Sequence, residues 1–379
     1  MKLLINCSTL STTGVTQVAI SFIHECKFFT ENDYHIFLSK TVSNQINESE
    51  FPSNFSFYLI DDHPLYGFRG FLIRKKIRKI EKQIKPEIVF SVFGPSWWTP
   101  YSPHLIGFAY PYIVYSKSPY LLNLSPINKL KINFQKLIHV YFLKRNGNYF
   151  VSETEDVSIR ILKILKIKRE NSYTVTNTCS SLFDEEISEQ PNILPIKKEN
   201  EFRFLSLCSL SPHKNLEILN KVIPLINDFN LDIDIKFILT VDHVIYENNF
   251  TELAKKNIYN IGRIEVKKCP QLYKECDALF LPTLLECFSA NYPEAMKMKI
   301  PIITSNLPFA VGVCKDSALY FDPMDPVDIS IKIKQLIESK SVQFELIDRG
   351  NKRLESFLTA SERAREYLNI CKQILEKEN

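Results

Sequence analysis

Glycine is scarce in this chain, 9 of 379 residues, roughly 2% against a usual ~7%. Each glycine that remains is therefore expected to mark a backbone position where a Cβ is unwelcome. Long apolar runs are missing as well. No stretch approaches the ~18 consecutive apolar residues of a bilayer-spanning helix, and the opening Met1-Lys-Leu-Leu-Ile-Asn turns polar too soon for a secretory signal. The nine cysteines are odd in number, scattered and without a C-x-x-C pair, which suits reduced thiols in the cytoplasm better than a disulfide frame or a zinc site. The seven histidines show no H-E-x-x-H spacing, so no metal site is expected. G-x-G-x-x-G and the Walker lysine motif are also absent, which removes the phosphate cradles that dinucleotide redox enzymes and P-loop ATPases require.

What is present is the composition of a globular enzyme, 45% hydrophobic and 24% charged, on a chain long enough for two domains. The formal net charge of +4 hides an asymmetry: residues 1–150 carry 17 Lys and Arg against 9 Asp and Glu, while residues 151–379 carry 30 against 34. Between Asp62 and Glu153 there are 14 basic residues and two acids, Glu81 and Glu87. The densest piece runs from Arg69 to Lys85, with Phe71, Ile73, Ile77, Ile80 and Ile84 at helical spacing and cations on the remaining faces. Such a helix is either a solvated surface helix packed by its isoleucines or one drawn to anionic lipid headgroups through Arg69, Arg74, Lys75, Lys76, Arg78 and Lys79. Nucleic acid is not expected as a partner, since no recognition motif accompanies the charge.

Strand-like and helix-like runs alternate through both halves, the pattern of parallel α/β sheets. Lys2 to Cys7 reads as a first strand, followed by a Ser/Thr loop with Gly14 and a helix from Val15. Further strands are expected at 35–38, 55–60, 88–92, 104–109, 149–151 and 172–175, and the alternation restarts at Phe202 with strands at 202–208, 236–241, 278–282 and 301–304. The expected division is residues 1–180 as an amino-terminal acceptor-binding domain, 181–201 as a linker with Pro191 and Pro195, and 202–359 as a donor-binding domain. A final helix at about 360–379 is free to pack back on the first domain. Doubly wound sheets bind ligands at the carboxyl ends of their strands, so the chemistry is expected there.

The most specific segment runs from Leu281 to Ser305. An apolar strand is followed by a loop opened by Glu286, a helix start holding Glu294 eight positions later, and the strand Pro301-Ile-Ile. A helix start of this kind offers N–H groups to an anion such as a diphosphate, with the two carboxylates placed to accept hydrogen bonds from sugar and ribose hydroxyls.

Here the sequence resembles the retaining glycosyltransferases of family 4, which have the GT-B fold of two facing Rossmann-like domains with a cleft between them. The resemblance rests on Pro282-Thr283, Glu286 to Glu294, Ala295-Met296 and Pro301-Ile-Ile, on Leu210-Ser-Pro-His-Lys214-Asn215, and on Asn260-Ile-Gly262-Arg263 followed by Tyr273 and Asp277. Asp316 to Pro323, Val175-Thr-Asn177 and Gly14-Val-Thr-Gln-Val-Ala extend it, in order, along nearly the whole chain. It implies a metal-independent hexosyltransferase that uses a nucleotide-diphosphate sugar, UDP- or GDP-linked, as substrate and no cofactor. Glu294 would hold the ribose and Glu286 the donor sugar, with N–H groups of Phe288, Ser289 and Ala290 at the diphosphate. Lys214 would neutralise the leaving group. The backbone at Gly262, Arg263 and Ile264 would line the base, while Gly14 and Val15 would approach the acceptor. The sequence departs from the family at Ser209, where an arginine is usual, at Cys287 and Ser289 in a glycine-rich loop, and at Lys299 and Gly312.

Both tryptophans lie in Phe93-Gly-Pro-Ser-Trp97-Trp98, just after an expected strand, where aromatic faces can stack on a sugar ring or pack in the core. His104, shortly afterwards, is a further candidate acceptor contact. Asp232-Ile-Asp234 spells a metal-binding D-x-D but leads into a strand, and is read as a strand-edge pair. The reading as a whole is a retaining glycosyltransferase of bacterial surface polysaccharide assembly, lipopolysaccharide O-antigen or capsule, cytoplasmic or peripheral on the inner membrane, with a glycan or lipid-linked acceptor. A nucleotide-sugar epimerase or hydrolase of the same fold, and a non-catalytic sugar-nucleotide-binding protein, are the alternatives.

Overall fold

The computed structural model describes residues 1–11, 13–65, 67–184 and 191–378. Part of the expected linker, residues 185–190, lies outside them. The chain separates into two compact units, one of Met1–Val114, Ser125–Asn177 and Leu358–Asn379 and one of Tyr115–Leu124 and Thr178–Phe357.

The first unit is built on seven strands: β1 (Lys2–Cys7), β2 (Asp33–Leu38), β3 (Phe55–Leu59), β4 (Ile88–Ser91), β5 (His104–Phe108), β6 (Tyr149–Ser152) and β7 (Ser172–Thr174). They lie in the order β3-β2-β1-β4-β5-β6-β7, and every pairing is parallel. The central strands are apolar almost without interruption because helices cover both faces. Leu3, Ile5 and Cys7 face Phe22 and Ile23 of the helix Thr13–Glu25 and Tyr367 of the helix Ala360–Glu378. Leu4 faces the other way, toward Ile77 and Ile84 of the helix Gly67–Ile84 and Trp98. The last helix is fixed by more than apolar contact. Tyr367 sits edge-on to Phe22 at 5.4 Å, and the buried Arg363 donates to Asn177 Oδ1 and, at 2.8 Å, to Ser21 Oγ. Gly107 is required by backbone proximity: a Cβ there would lie 1.8 Å from the Val92 carbonyl oxygen.

The second unit carries β8 (Glu201–Ser206), β9 (Asp234–Leu239), β10 (Ile258–Asn260), β11 (Ala278–Leu281), β12 (Ile302–Ser305) and β13 (Ala318–Phe321). Their order is β10-β9-β8-β11-β12-β13, again parallel throughout. Strand order reverses between β8 and β11, and the carboxyl ends of those two strands form the crevice where such sheets bind ligands.

The sequence reading needs one correction here. Tyr115–Leu124, assigned by position to the first domain, belongs to the second unit. Ser118 Oγ donates to the Leu284 carbonyl at 2.6 Å, and the rings of Tyr115 and Phe309 lie 6.2 Å apart. The basic helix packs through its isoleucines, Ile77 and Ile84 buried and Ile73 and Ile80 partly covered, while Phe71 is exposed.

Candidate active site

The site grows from the loops that leave β8 and β11. After β8 the chain passes Cys208, the exposed Ser209 and a short turn, Pro212–Lys214, and Asn215 then adopts a left-handed conformation (φ 57°) that swings the backbone into the next helical turn. Asn215 tolerates this region better than most residues. Its side-chain amide donates to the Pro323 carbonyl at 2.9 Å, tying the turn to the loop after β13. The loop after β11 is fastened to the same turn: the His213 carbonyl accepts from the Leu284 N–H at 2.7 Å and from Thr283 Oγ1 at 3.2 Å. Asn291, at the start of the following helix (Asn291–Lys297), donates to the Leu207 carbonyl at 2.9 Å.

This framework places Lys214 Nζ 2.6 Å from Glu286 Oε1. Side-chain exposure is 18% for the lysine and 10% for the glutamate, so the pair is largely withdrawn from water but reachable. Burial pulls the Lys214 ammonium toward neutrality; the facing carboxylate overcomes it, and the net shift is upward. Lys214 is therefore a fixed cation at neutral pH. Burial pushes the neighbouring Cys208 thiol up to about 11, with Lys214 opposing, so Cys208 stays a thiol.

Glu294 sits in the first turn of the helix Asn291–Lys297, whose N-cap position, Ala290, makes no side-chain capping bond. Burial raises its carboxyl to about 7, and a hydrogen bond from the Tyr273 hydroxyl, 2.9 Å from Oε2, partly offsets this. Tyr273 itself is fully buried. Ser289 is buried, while Phe288 and Ala290 are partly open, and the Phe288 ring meets Phe357 at 6.4 Å. Beyond β10, Gly262 has φ 72°, and a Cβ there would lie 3.0 Å from His243 Nε2, so both conformation and space call for glycine. Arg263 is exposed and Ile264 half-buried.

The expected acceptor residues lie in the first unit, and three of them are structural. Trp98 is buried in the core, its indole N–H donating to Glu81 Oε2 at 3.1 Å. Glu81 also accepts from the Tyr101 N–H at 2.6 Å, so one of the two acids in the basic stretch serves to hold this loop. Trp97 is buried too, 4.9 Å from Phe142 and 5.2 Å from His139 between ring centres. His104 is wholly enclosed, with both ring nitrogens occupied by Ser91 Oγ at 2.9 Å and the Asn146 carbonyl at 2.7 Å. The expectation that these side chains meet an acceptor is corrected by their burial. Gly14 is exposed in the first turn of its helix with nothing within 4 Å of a Cβ position, and Val15 packs partly against the core. Asp234, the second acid of the D-x-D, is held by Lys236 at 2.8 Å. Among the described residues no group of three or more His, Cys, Asp or Glu is placed to hold a metal ion.

Several residues that shape the site carried no assigned role at sequence level. Tyr273 was visible as part of a motif but not as the partner of Glu294, and Asn291 and Asn215 act through amide bonds to carbonyls that no spacing rule foretells.

Comparison with known proteins agrees with this arrangement. Residues 187–353 match the model of the family described as glycosyl transferases group 1. The O-antigen chain mannosyltransferase RfbU of Salmonella typhimurium is 27% identical over 146 residues, 37% of this chain and 40% of that protein. This chain thus spans well under half the length of the curated relative it matches. A glycosyltransferase from Rickettsia africae is similar over 99% of this chain and 98% of its own, with a TM-score of 0.73 and 17% identity. HepE of Anabaena, in complex with UDP-glucose, is similar over 98% of this chain and all of its own, with a TM-score of 0.69 and 11% identity. The fold is therefore GT-B, two Rossmann-like parallel sheets, and the match to the glycosyl transferases group 1 model falls within its second unit.

Proposed function

We propose that this protein is a retaining, metal-independent glycosyltransferase that moves a sugar from a nucleotide-diphosphate donor to a hydroxyl of a glycan or lipid-linked acceptor in bacterial surface polysaccharide biosynthesis. The observation that carries the reading is the Lys214–Glu286 pair at the carboxyl ends of β8 and β11, with Glu294 and its uncapped helix start in the same unit. Lys214 supplies the positive charge that a departing diphosphate needs. Glu286, now bonded to that lysine, has the acceptor oxygens to orient donor-sugar hydroxyls. Glu294, held by Tyr273 through one oxygen, has its other oxygen for ribose hydroxyls. In the transfer the bond between the anomeric carbon and the phosphate oxygen breaks, and the acceptor oxygen bonds that carbon from the same face. The acceptor proton passes to the departing phosphate oxygen, so no covalent carboxylate intermediate is required. UDP-glucose bound to HepE supports a nucleotide-sugar donor, and the O-antigen mannosyltransferase supports the polysaccharide setting.

The test is a melting screen with UDP, GDP, dTDP and CMP and their sugars on the wild type and Glu294→Ala, followed by product analysis. A nucleotide at about 100 times its dissociation constant stabilises the fold by ~2.7 kcal/mol. One base family is expected to do so in the wild type only, and its sugar to appear as a glycoside with unchanged anomeric configuration in the presence of a chelator. Release of free sugar with no glycoside would assign hydrolysis instead, and no stabilisation by any nucleotide would overturn the reading.

A further inference from the structure

The helix Pro126–Asn146 connects β5 to β6, and its exposed surface has the wrong composition for contact with water. Ile127, Leu130, Phe134, Leu137 and Tyr141 recur at alternating spacings of three and four residues, and each is between 55% and 72% exposed. At ~100° per residue they fall within an arc of about 80°, opposite the side that buries His139 and Leu143. No residue from Pro126 to Ile138 is buried. That stretch is about as long as the shortest isolated helices that hold in water, so its apolar stripe has a covering surface to gain. Arg145 extends the stripe at its carboxyl end, donating to the Tyr141 hydroxyl at 3.2 Å, Lys131 and Lys144 border it, Lys129 and Lys136 lie on the far side, and the helix has no acid at all.

A second cationic helix lies nearby. The helix Gly67–Ile84 connects β3 to β4, and right-handed crossovers place it on the same face of the sheet as Pro126–Asn146. Trp97 bridges the two, with ring centres 5.8 Å from His63 just before the first and 4.9 Å from Phe142 in the second. Phe68 and Leu72 are exposed on it beside its Lys and Arg side chains.

We infer that this face of the first unit docks on an anionic lipid bilayer, with the stripe of Pro126–Asn146 inserted at the headgroup boundary and Lys131, Lys144 and Arg145 on the lipid phosphates. An apolar stripe bordered by cations, with no acid on the helix, is the pattern of a helix lying in a membrane interface. Charge selects this occupant over a second copy, since two such helices packed together would set cations against cations with no acids to pair them. The docking is independent of the transfer reaction. Among the described residues no helix is long and apolar enough to cross a membrane, so the contact is with the surface.

The test uses the full chain, phosphatidylcholine vesicles with and without phosphatidylglycerol, and a Phe134→Trp variant. Because Trp97 and Trp98 are buried, the new indole reports its own surroundings. Expected are co-sedimentation with the phosphatidylglycerol vesicles only, a blue shift of emission on those vesicles, and about fivefold weaker partitioning for each of Lys131→Gln and Arg145→Gln. A triple Leu130→Ser, Phe134→Ser, Leu137→Ser variant should lose binding about tenfold or more with its melting temperature unchanged. The inference is overturned if the wild type stays in the supernatant, or if it binds without any blue shift. It is equally overturned if the emission shifts with protein concentration alone, which would give the face to a second copy.

Discussion

The two sheets share a topology but close their central crevices with different chemistry. At the carboxyl ends of β1 and β4, Asn6 Nδ2 donates to Ser91 Oγ at 2.9 Å, Ser91 meets His104 at 2.9 Å, and Ser8 Oγ donates to Asn6 Oδ1 at 2.6 Å. All four side chains are buried. Burial lowers the His104 imidazole to about 4, although its bond to the Asn146 carbonyl opposes this, so the network is uncharged at neutral pH. At the carboxyl ends of β8 and β11 stands an ion pair that keeps some contact with solvent. A neutral, saturated network stabilises and has no free valence for a ligand. A partly open ion pair has less to offer stability and more to offer an incoming anion.

The contrast is broken or sharpened by substitution at each crevice. The largest effect is expected for Lys214→Met, which removes the ammonium and leaves the Glu286 carboxylate without its partner: turnover should fall by about a hundredfold to a thousandfold. Steady-state kinetics with the identified donor check this, and a variant of undiminished turnover would make the pair structural. His104→Ala should do the converse, lowering stability by about 1–3 kcal/mol through the stranded Ser91 and Asn146 groups while leaving turnover per folded molecule unchanged. Denaturant unfolding read beside activity decides it; a loss of turnover at unchanged stability would erase the distinction between the crevices. A third, pH-dependent effect concerns Glu294. Its carboxyl is raised to about 7 in the folded chain, against about 4.3 when unfolded. Between those values the native state holds a proton that the unfolded state has released, so this residue's contribution to stability falls as pH rises. Glu294→Gln removes that penalty, and its melting temperature relative to wild type should climb between about pH 5 and about pH 8. A difference that stays flat would mean the carboxyl titrates normally.

Much of the second unit was legible because parallel strands are written as apolar runs and helix starts as loops with carboxylates. Strands at 202, 236, 278 and 301, and the spacing of Glu286 and Glu294, could be read directly. The contact between Lys214 and Glu286 spans 72 residues of sequence, and only the adjacency of β8 and β11 creates it. The helix Pro126–Asn146 escaped notice because its apolar residues point outward, whereas hydrophobic periodicity is ordinarily read as facing a core. Trp97, Trp98 and His104 misled for a related reason. Composition shows that an aromatic or imidazole group is present, not that Glu81 or Asn146 already occupies its polar atoms. The placement of Tyr115–Leu124 in the second unit was equally invisible, since it rests on contacts with Leu284 and Phe309, far along the chain.

For the transfer proposed above, the bond between Lys214 and Glu286 also implies a selectivity rule. At rest the two charges cancel at short range, so the crevice presents little net field to the abundant small anions of a cell. Inorganic phosphate drawn to the ammonium brings more negative charge against the largely desolvated carboxylate. A molecule that brings a diphosphate together with several hydroxyls offers the ammonium an anion and the carboxylate hydrogen-bond donors at once. The idle site thus discriminates by demanding two kinds of recognition from the same visitor.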